Sequence, residues 1–69
     1  MVQGTLLKII GQNAFFYRKE AGLTQERFSE YTDLTTDTIS KIERGTMAVM
    51  ITTLYSIAET LHVTCNALL

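Results

Sequence analysis

Leu23-Thr24-Gln25-Glu26-Arg27-Phe28-Ser29-Glu30-Tyr31-Thr32-Asp33-Leu34-Thr35-Thr36-Asp37-Thr38-Ile39-Ser40-Lys41-Ile42-Glu43-Arg44-Gly45 reads as two short helices joined by a tight turn. Thr24 is a good N-cap, because its hydroxyl can accept from the free N–H groups of a first turn, and Glu26 suits the positive end of the helix that follows. That helix opens at Gln25 and runs to about Thr32, with Phe28 and Ser29 inward and Arg27 and Glu30 outward. The pattern breaks at Asp33, a residue type that tolerates left-handed backbone geometry better than most. Leu34 then offers an apolar anchor, and Thr35 can cap a second helix over Thr36 to Arg44. Ile39 and Ile42 recur three apart to hold that helix to a core. Its outer face carries Thr36, Asp37, Ser40, Lys41 and Arg44, and Gly45 is a C-terminal stop.

Outward from this segment the helical pattern continues. Leu6, Ile10, Ala14 and Tyr17 form one stripe of a helix from Thr5 to about Glu20, which Gly22 ends. A loop, Gly45-Thr46-Met47-Ala48-Val49-Met50, leads to a fourth helix marked by Ile51, Leu54, Ile57, Ala58 and Leu61. That helix ends near His62, and Thr64 can cap a short fifth helix carrying Leu68 and Leu69. Five helices and no strand predict a compact all-α bundle, a single domain over residues 1–69.

Length and composition narrow the functions open to such a bundle. A chain of 69 residues has no room for a second core or a large enzyme cleft. Its core is marginal without a staple, and one cysteine, Cys65, cannot form an internal disulfide, which leaves oligomerisation. The 46% apolar content includes no run approaching the roughly 18 residues of a membrane span, and Met1-Val2-Gln3 opens no basic signal segment. A cytoplasmic protein is expected.

Two short helices around a tight turn are the pattern of a helix-turn-helix, here about residues 24–45, and point to DNA. The chain resembles the phage repressor and Cro type of helix-turn-helix domain, the XRE or lambda repressor-like family. The resemblance is carried by Ile10-Gly11, Arg18, Gly22-Leu23-Thr24-Gln25, Leu34-Thr35, Thr38-Ile39-Ser40, Ile42-Glu43-Arg44-Gly45, Leu54, Ile57-Ala58, Leu61, Val63 and Leu68-Leu69. The Leu-Thr-Gln opening and the Ile-Ser-x-Ile-Glu-x-Gly close at this separation are its most specific part. It implies a five-helix bundle that binds double-stranded DNA as a homodimer on half-sites about 34 Å apart, most simply as a repressor.

The resemblance also implies site residues. The second motif helix would lie in the major groove, its first residues on base edges and its later ones on the backbone, which selects Thr35, Thr36, Asp37, Thr38, Ser40, Lys41 and Arg44. Threonine can hydrogen-bond or offer its methyl to thymine, Asp37 can accept from cytosine N4, and Lys41 can reach guanine or a phosphate. Thr24 and Gln25 would place a helix N-terminus and a side chain on a phosphate. Arg18 would pair with Glu43 and brace the recognition helix against the first helix, a scaffold role.

Several features pull the other way. A net charge of −1 is not the basic footprint of nonspecific DNA binding; Arg27, Lys41 and Arg44 share the motif with Glu26, Glu30, Asp33, Asp37 and Glu43. In relatives the turn carries glycine where Asp33 stands and alanine where Ser29 stands, and the loop after Gly45 is polar or basic, with a proline. Here that loop has no charge. Val49 and Met50 either fold into the core or, with Met47, Phe15 and Phe16, form a contact patch for another protein. An antitoxin-like or adaptor module is thus the alternative function. Enzyme activity has no support: His62 and Cys65 are too few for a zinc site, Cys65 has no basic neighbour, and no phosphate loop is present, so no metal or cofactor is expected.

Overall fold

An apolar residue, a helix-capping residue and a second apolar residue four places on recur at the start of four helices. The computed structural model describes residues 2–69, with side chains from residue 4 onward, and Met1 of the expected 1–69 domain lies outside the described residues. The elements are α1 (Val2–Glu20), α2 (Gln25–Thr32), α3 (Thr36–Glu43), α4 (Ile51–Leu61) and α5 (Cys65–Leu68), with no strand among the described residues. Thr24, Thr35 and Thr64 cap α2, α3 and α5, each hydroxyl accepting from the N–H three residues on. Leu23, Leu34, Val49 and Val63 stand just before the four caps and lean on the core. Phe28, Ile39, Leu54 and Leu68, five residues beyond each of them, lie inside it. This is the hydrophobic staple, which sets the angle at which the chain enters each helix. Met50 caps α4 with no side-chain bond, so there the staple acts alone.

Each helix end is as specific as its start. Gly22, Asp33, Gly45 and His62 all have positive φ, between 58° and 73°. After α1, α3 and α4 the N–H of the residue beyond reaches back five places, Leu23 to Arg18 O, Thr46 to Lys41 O and Val63 to Ala58 O, which satisfies the last carbonyls. For Asp33 and His62 this geometry costs roughly 1 kcal/mol relative to glycine.

The five elements enclose one core of Ile10, Ala14, Phe28, Ile39, Ile42, Leu54, Ile57, Ala58, Leu61 and Leu68. Two glycines let α1 lie directly on α3. A Cβ at the buried Gly11 would collide with the carbonyl oxygens of Ile42 and Glu43, and one at Gly45 would lie 2.9 Å from the Cα of Lys8. Asn13 ties the chain end to the same helix, its amide donating to Leu68 O at 2.9 Å.

Local details differ from the sequence reading. α1 begins at Val2 rather than Thr5, and α3 ends at Glu43 with Arg44 as its cap. Ser29 is only half-buried and turns its hydroxyl onto Glu26 O; Thr32, one turn beyond Phe28, takes the inward place. Ile51 is 72% exposed because the first turn of α4 overhangs the core, where Val49 packs instead. Leu6 and Leu69 are also exposed.

Candidate nucleic-acid interface

The two motif helices owe their positions to a buried ion pair. Arg18, on α1, donates from Nε to Glu43 Oε2 at 2.6 Å and from a terminal nitrogen to Glu43 Oε1 at 3.2 Å, and both side chains are 6% exposed. The guanidinium also donates to Leu23 O at 2.7 Å, holding the α1–α2 connection. Gln25 adds a third element, its amide donating to Glu43 Oε1 at 3.0 Å. One carboxylate thus joins α1, the first residue of α2 and the last residue of α3. Such a fork-to-fork pair fixes orientation as well as distance.

Within this frame Ile39 and Ile42 are buried, so the opposite side of α3 must face outward. Thr36, Asp37, Lys41 and Arg44 are exposed there, while Thr38 and Ser40 are half-buried. Thr35 serves first as a cap: its hydroxyl accepts from Thr38 N at 3.1 Å and lies 3.0 Å from Thr38 Oγ1. Lys41 Nζ is 3.1 Å from Asp37 Oδ2, one turn away on the same face. That pair removes the net negative charge Asp37 alone would present to a polyanion. Arg44 folds its Nε toward Ser40 O at 3.3 Å and meets no carboxylate among the described residues.

At the start of α2, Thr24 is exposed and caps through its hydroxyl to Arg27 N. The Gln25 side chain is half-buried and one of its amide hydrogens is engaged by Glu43, so the second hydrogen and the backbone N–H groups of the first turn are what this end offers an anion. The residues singled out as a protein-contact patch divide. Phe15, Phe16, Met47 and Met50 are exposed, but Val49 packs against the core because it staples α4, and it leaves the patch. The Phe15 ring is faced by the Arg18 guanidinium at 5.3 Å and the Lys19 ammonium at 5.7 Å. His62 ends α4, and no cluster of three or more His, Cys, Asp or Glu side chains able to hold a metal forms among the described residues. Among those residues, no helix is long and apolar enough to cross a membrane.

Sequence reasoning missed Lys8. It lies far from the motif along the chain, and only the close approach of α1 to Gly45 brings it to the end of α3. Gly11 and Gly45, where the two backbones meet, are the trace of this approach in the sequence.

Solved structures share this arrangement. ClgR, the clp gene regulator of Corynebacterium glutamicum, superimposes with a TM-score of 0.88 over 91% of this chain and 67% of its own, and at 22% identity that likeness concerns the fold alone. An HTH_3 family transcriptional regulator of Vibrio cholerae matches with a TM-score of 0.89 and 26% identity over 96% of this chain, which spans only 37% of that protein. The restriction-modification controller protein C.AhdI of Aeromonas hydrophila matches with a TM-score of 0.87 and 25% identity, covering 91% of this chain and 96% of the controller. A search of curated protein sequences finds no match. The helix-turn-helix model HTH_3 matches residues 16–68, which take in the Arg18–Glu43 clamp, both motif helices and the two helices beyond; the chain belongs to that helix-turn-helix family.

Proposed function

We propose that this chain is a sequence-specific DNA-binding transcriptional regulator that places α3 in the major groove. The observation that carries the reading is the outer face of α3, exposed at Thr36, Asp37, Lys41 and Arg44 and held rigidly by the Arg18–Glu43–Gln25 cluster behind it. Thr36, Asp37 and Lys41 read base edges; Thr35, Thr38 and Ser40 support them from the helix start and flank; Arg44, Thr24 and Gln25 meet the backbone. The regulators among the structural neighbours support the same reading, and in it the protein acts in the cytoplasm as a repressor, by occupying sites that polymerase needs.

A net charge of −1 gives the complex little bulk attraction, so two copies on adjacent half-sites are part of the proposal. The apolar start and outer side of α4 support a second copy: Met50, Ile51 and Tyr55 are 71%, 72% and 60% exposed.

Selection from a random duplex pool followed by fluorescence anisotropy tests the reading. One enriched sequence family is expected, with affinity falling about tenfold or more on Lys41→Ala or Thr36→Ala, the scale of a lost base contact. No enrichment at low salt, where electrostatic binding is strongest, would refute it. Sedimentation over a range of concentrations checks the dimer, and a monomer throughout would remove it.

A further inference from the structure

Ion pairing among the described residues leaves three of the six basic residues without a carboxylate. Arg18 is matched to Glu43, Arg27 to Glu30 and Lys41 to Asp37. Of the remaining basic residues, Lys19 lies over the Phe15 ring. Among the described residues Lys8, Lys19 and Arg44 have no carboxylate partner, and of these Lys8 and Arg44 have backbones that come together at the end of α3. Arg44 immediately precedes Gly45, and Gly45 packs against Lys8 so closely that a Cβ there would sit 2.9 Å from both the Cα and the Cγ of the lysine. The stem of Lys8 is therefore fixed on the end of α3, while its side chain is exposed. The loop that follows, Thr46 to Met50, has no charge of its own.

We propose that Lys8 is a phosphate anchor for duplex DNA, supplied by α1 beside Arg44 at the end of α3. It rests on the DNA-binding reading above. A cation at this place could instead serve the negative end of the α3 dipole. Three of its last four carbonyls already have donors: Arg44 N donates to Ser40 O, Gly45 N to Ile42 O, and both the N–H and the hydroxyl of Thr46 to Lys41 O. With the carbonyls of Ser40, Lys41 and Ile42 occupied, the exposed ammonium is available to an external anion. A lysine meets phosphate as a point charge, so the contact adds affinity without reading sequence.

The experiment measures affinity against salt concentration for the wild type, Lys8→Ala and Lys8→Arg, on the selected duplex and on a scrambled one of equal length. Each neutralised phosphate contributes about 0.9 to the slope of log affinity against log salt. Lys8→Ala should lower the slope by about that amount per chain and weaken both duplexes by a similar factor, with an unchanged melting temperature; Lys8→Arg should retain the slope. An unchanged slope for Lys8→Ala, with or without a loss of affinity, overturns the anchor and leaves the DNA reading standing. A wild type that binds neither duplex at low salt overturns both.

Discussion

Replacing Gly11 by alanine separates two opposing effects by sign. In the middle of an exposed helix the change is favourable by about 1 kcal/mol, because glycine is a poor helix former. Gly11 is buried where α1 crosses the end of α3, and the added methyl would collide with Ile42 O and lie 2.7 Å from Glu43 O and 3.0 Å from Glu43 C. These are backbone atoms, one of them in the residue that carries the buried carboxylate, so no flexible side chain can yield. Restoring ordinary contact requires α1 to back away from α3 by roughly 1 Å, a shift of the kind that overpacking costs at about 1–3 kcal/mol. The same displacement strains the Arg18–Glu43 bonds, which puts the cost in the upper part of that range. The net expectation is a loss of about 1–2 kcal/mol, or a melting temperature lower by about 4–16 °C. Gly4, in the same helix, has nothing within 4 Å of a built Cβ and is the control: Gly4→Ala should be neutral or stabilising by a few tenths of a kcal/mol. Thermal and urea unfolding followed by far-ultraviolet circular dichroism measures both. A Gly11→Ala protein as stable as the wild type or more so would refute the close approach of α1 to α3.

Two further substitutions test the frame around the site. Glu43→Ala leaves a buried guanidinium holding only Leu23 O and releases Gln25, so a loss of roughly 3–5 kcal/mol is expected in chemical denaturation; an unchanged melting temperature would remove the clamp from the account. Ile57→Ala empties a site that is 1% exposed and should cost about 2–5 kcal/mol, whereas Ile51→Ala, at a residue 72% exposed, should stay within about 0.5 kcal/mol at concentrations where the protein is monomeric. Equal losses for the two would mean that α4 sits in a different register on the core.

The local decisions of this chain are written in its sequence. Thr24, Thr35 and Thr64 mark helix starts because a hydroxyl at that place satisfies a free N–H from within a few residues, and Gly22, Asp33 and Gly45 mark ends because they accept a left-handed backbone. Spacing alone also found most of the core, since Ile39, Ile42, Leu54, Ile57, Ala58 and Leu61 follow the helical period. What spacing cannot decide is where a helix overhangs its neighbours. Ile51 and Leu6 continue their stripes past the edge of the core, and Val49, which belongs to no helix, fills the space beside α4.

The candidate site divides along the same line. Which residues lie on the outer face of α3 follows from the two isoleucines that must lie on the inner one. The neutralisation of Asp37 by Lys41 is a local pair one turn apart within α3, whereas the engagement of Gln25 by Glu43 and the arrival of Lys8 beside Gly45 depend on the packing of α1, α2 and α3. Sequence by itself determined the helices, the turn and the outward face, because capping, backbone geometry and periodicity act over a few residues. Only the tertiary structure decided that Arg18 is consumed by Glu43 and that Lys8 stands beside the end of α3, because those contacts act through space between segments the chain holds far apart.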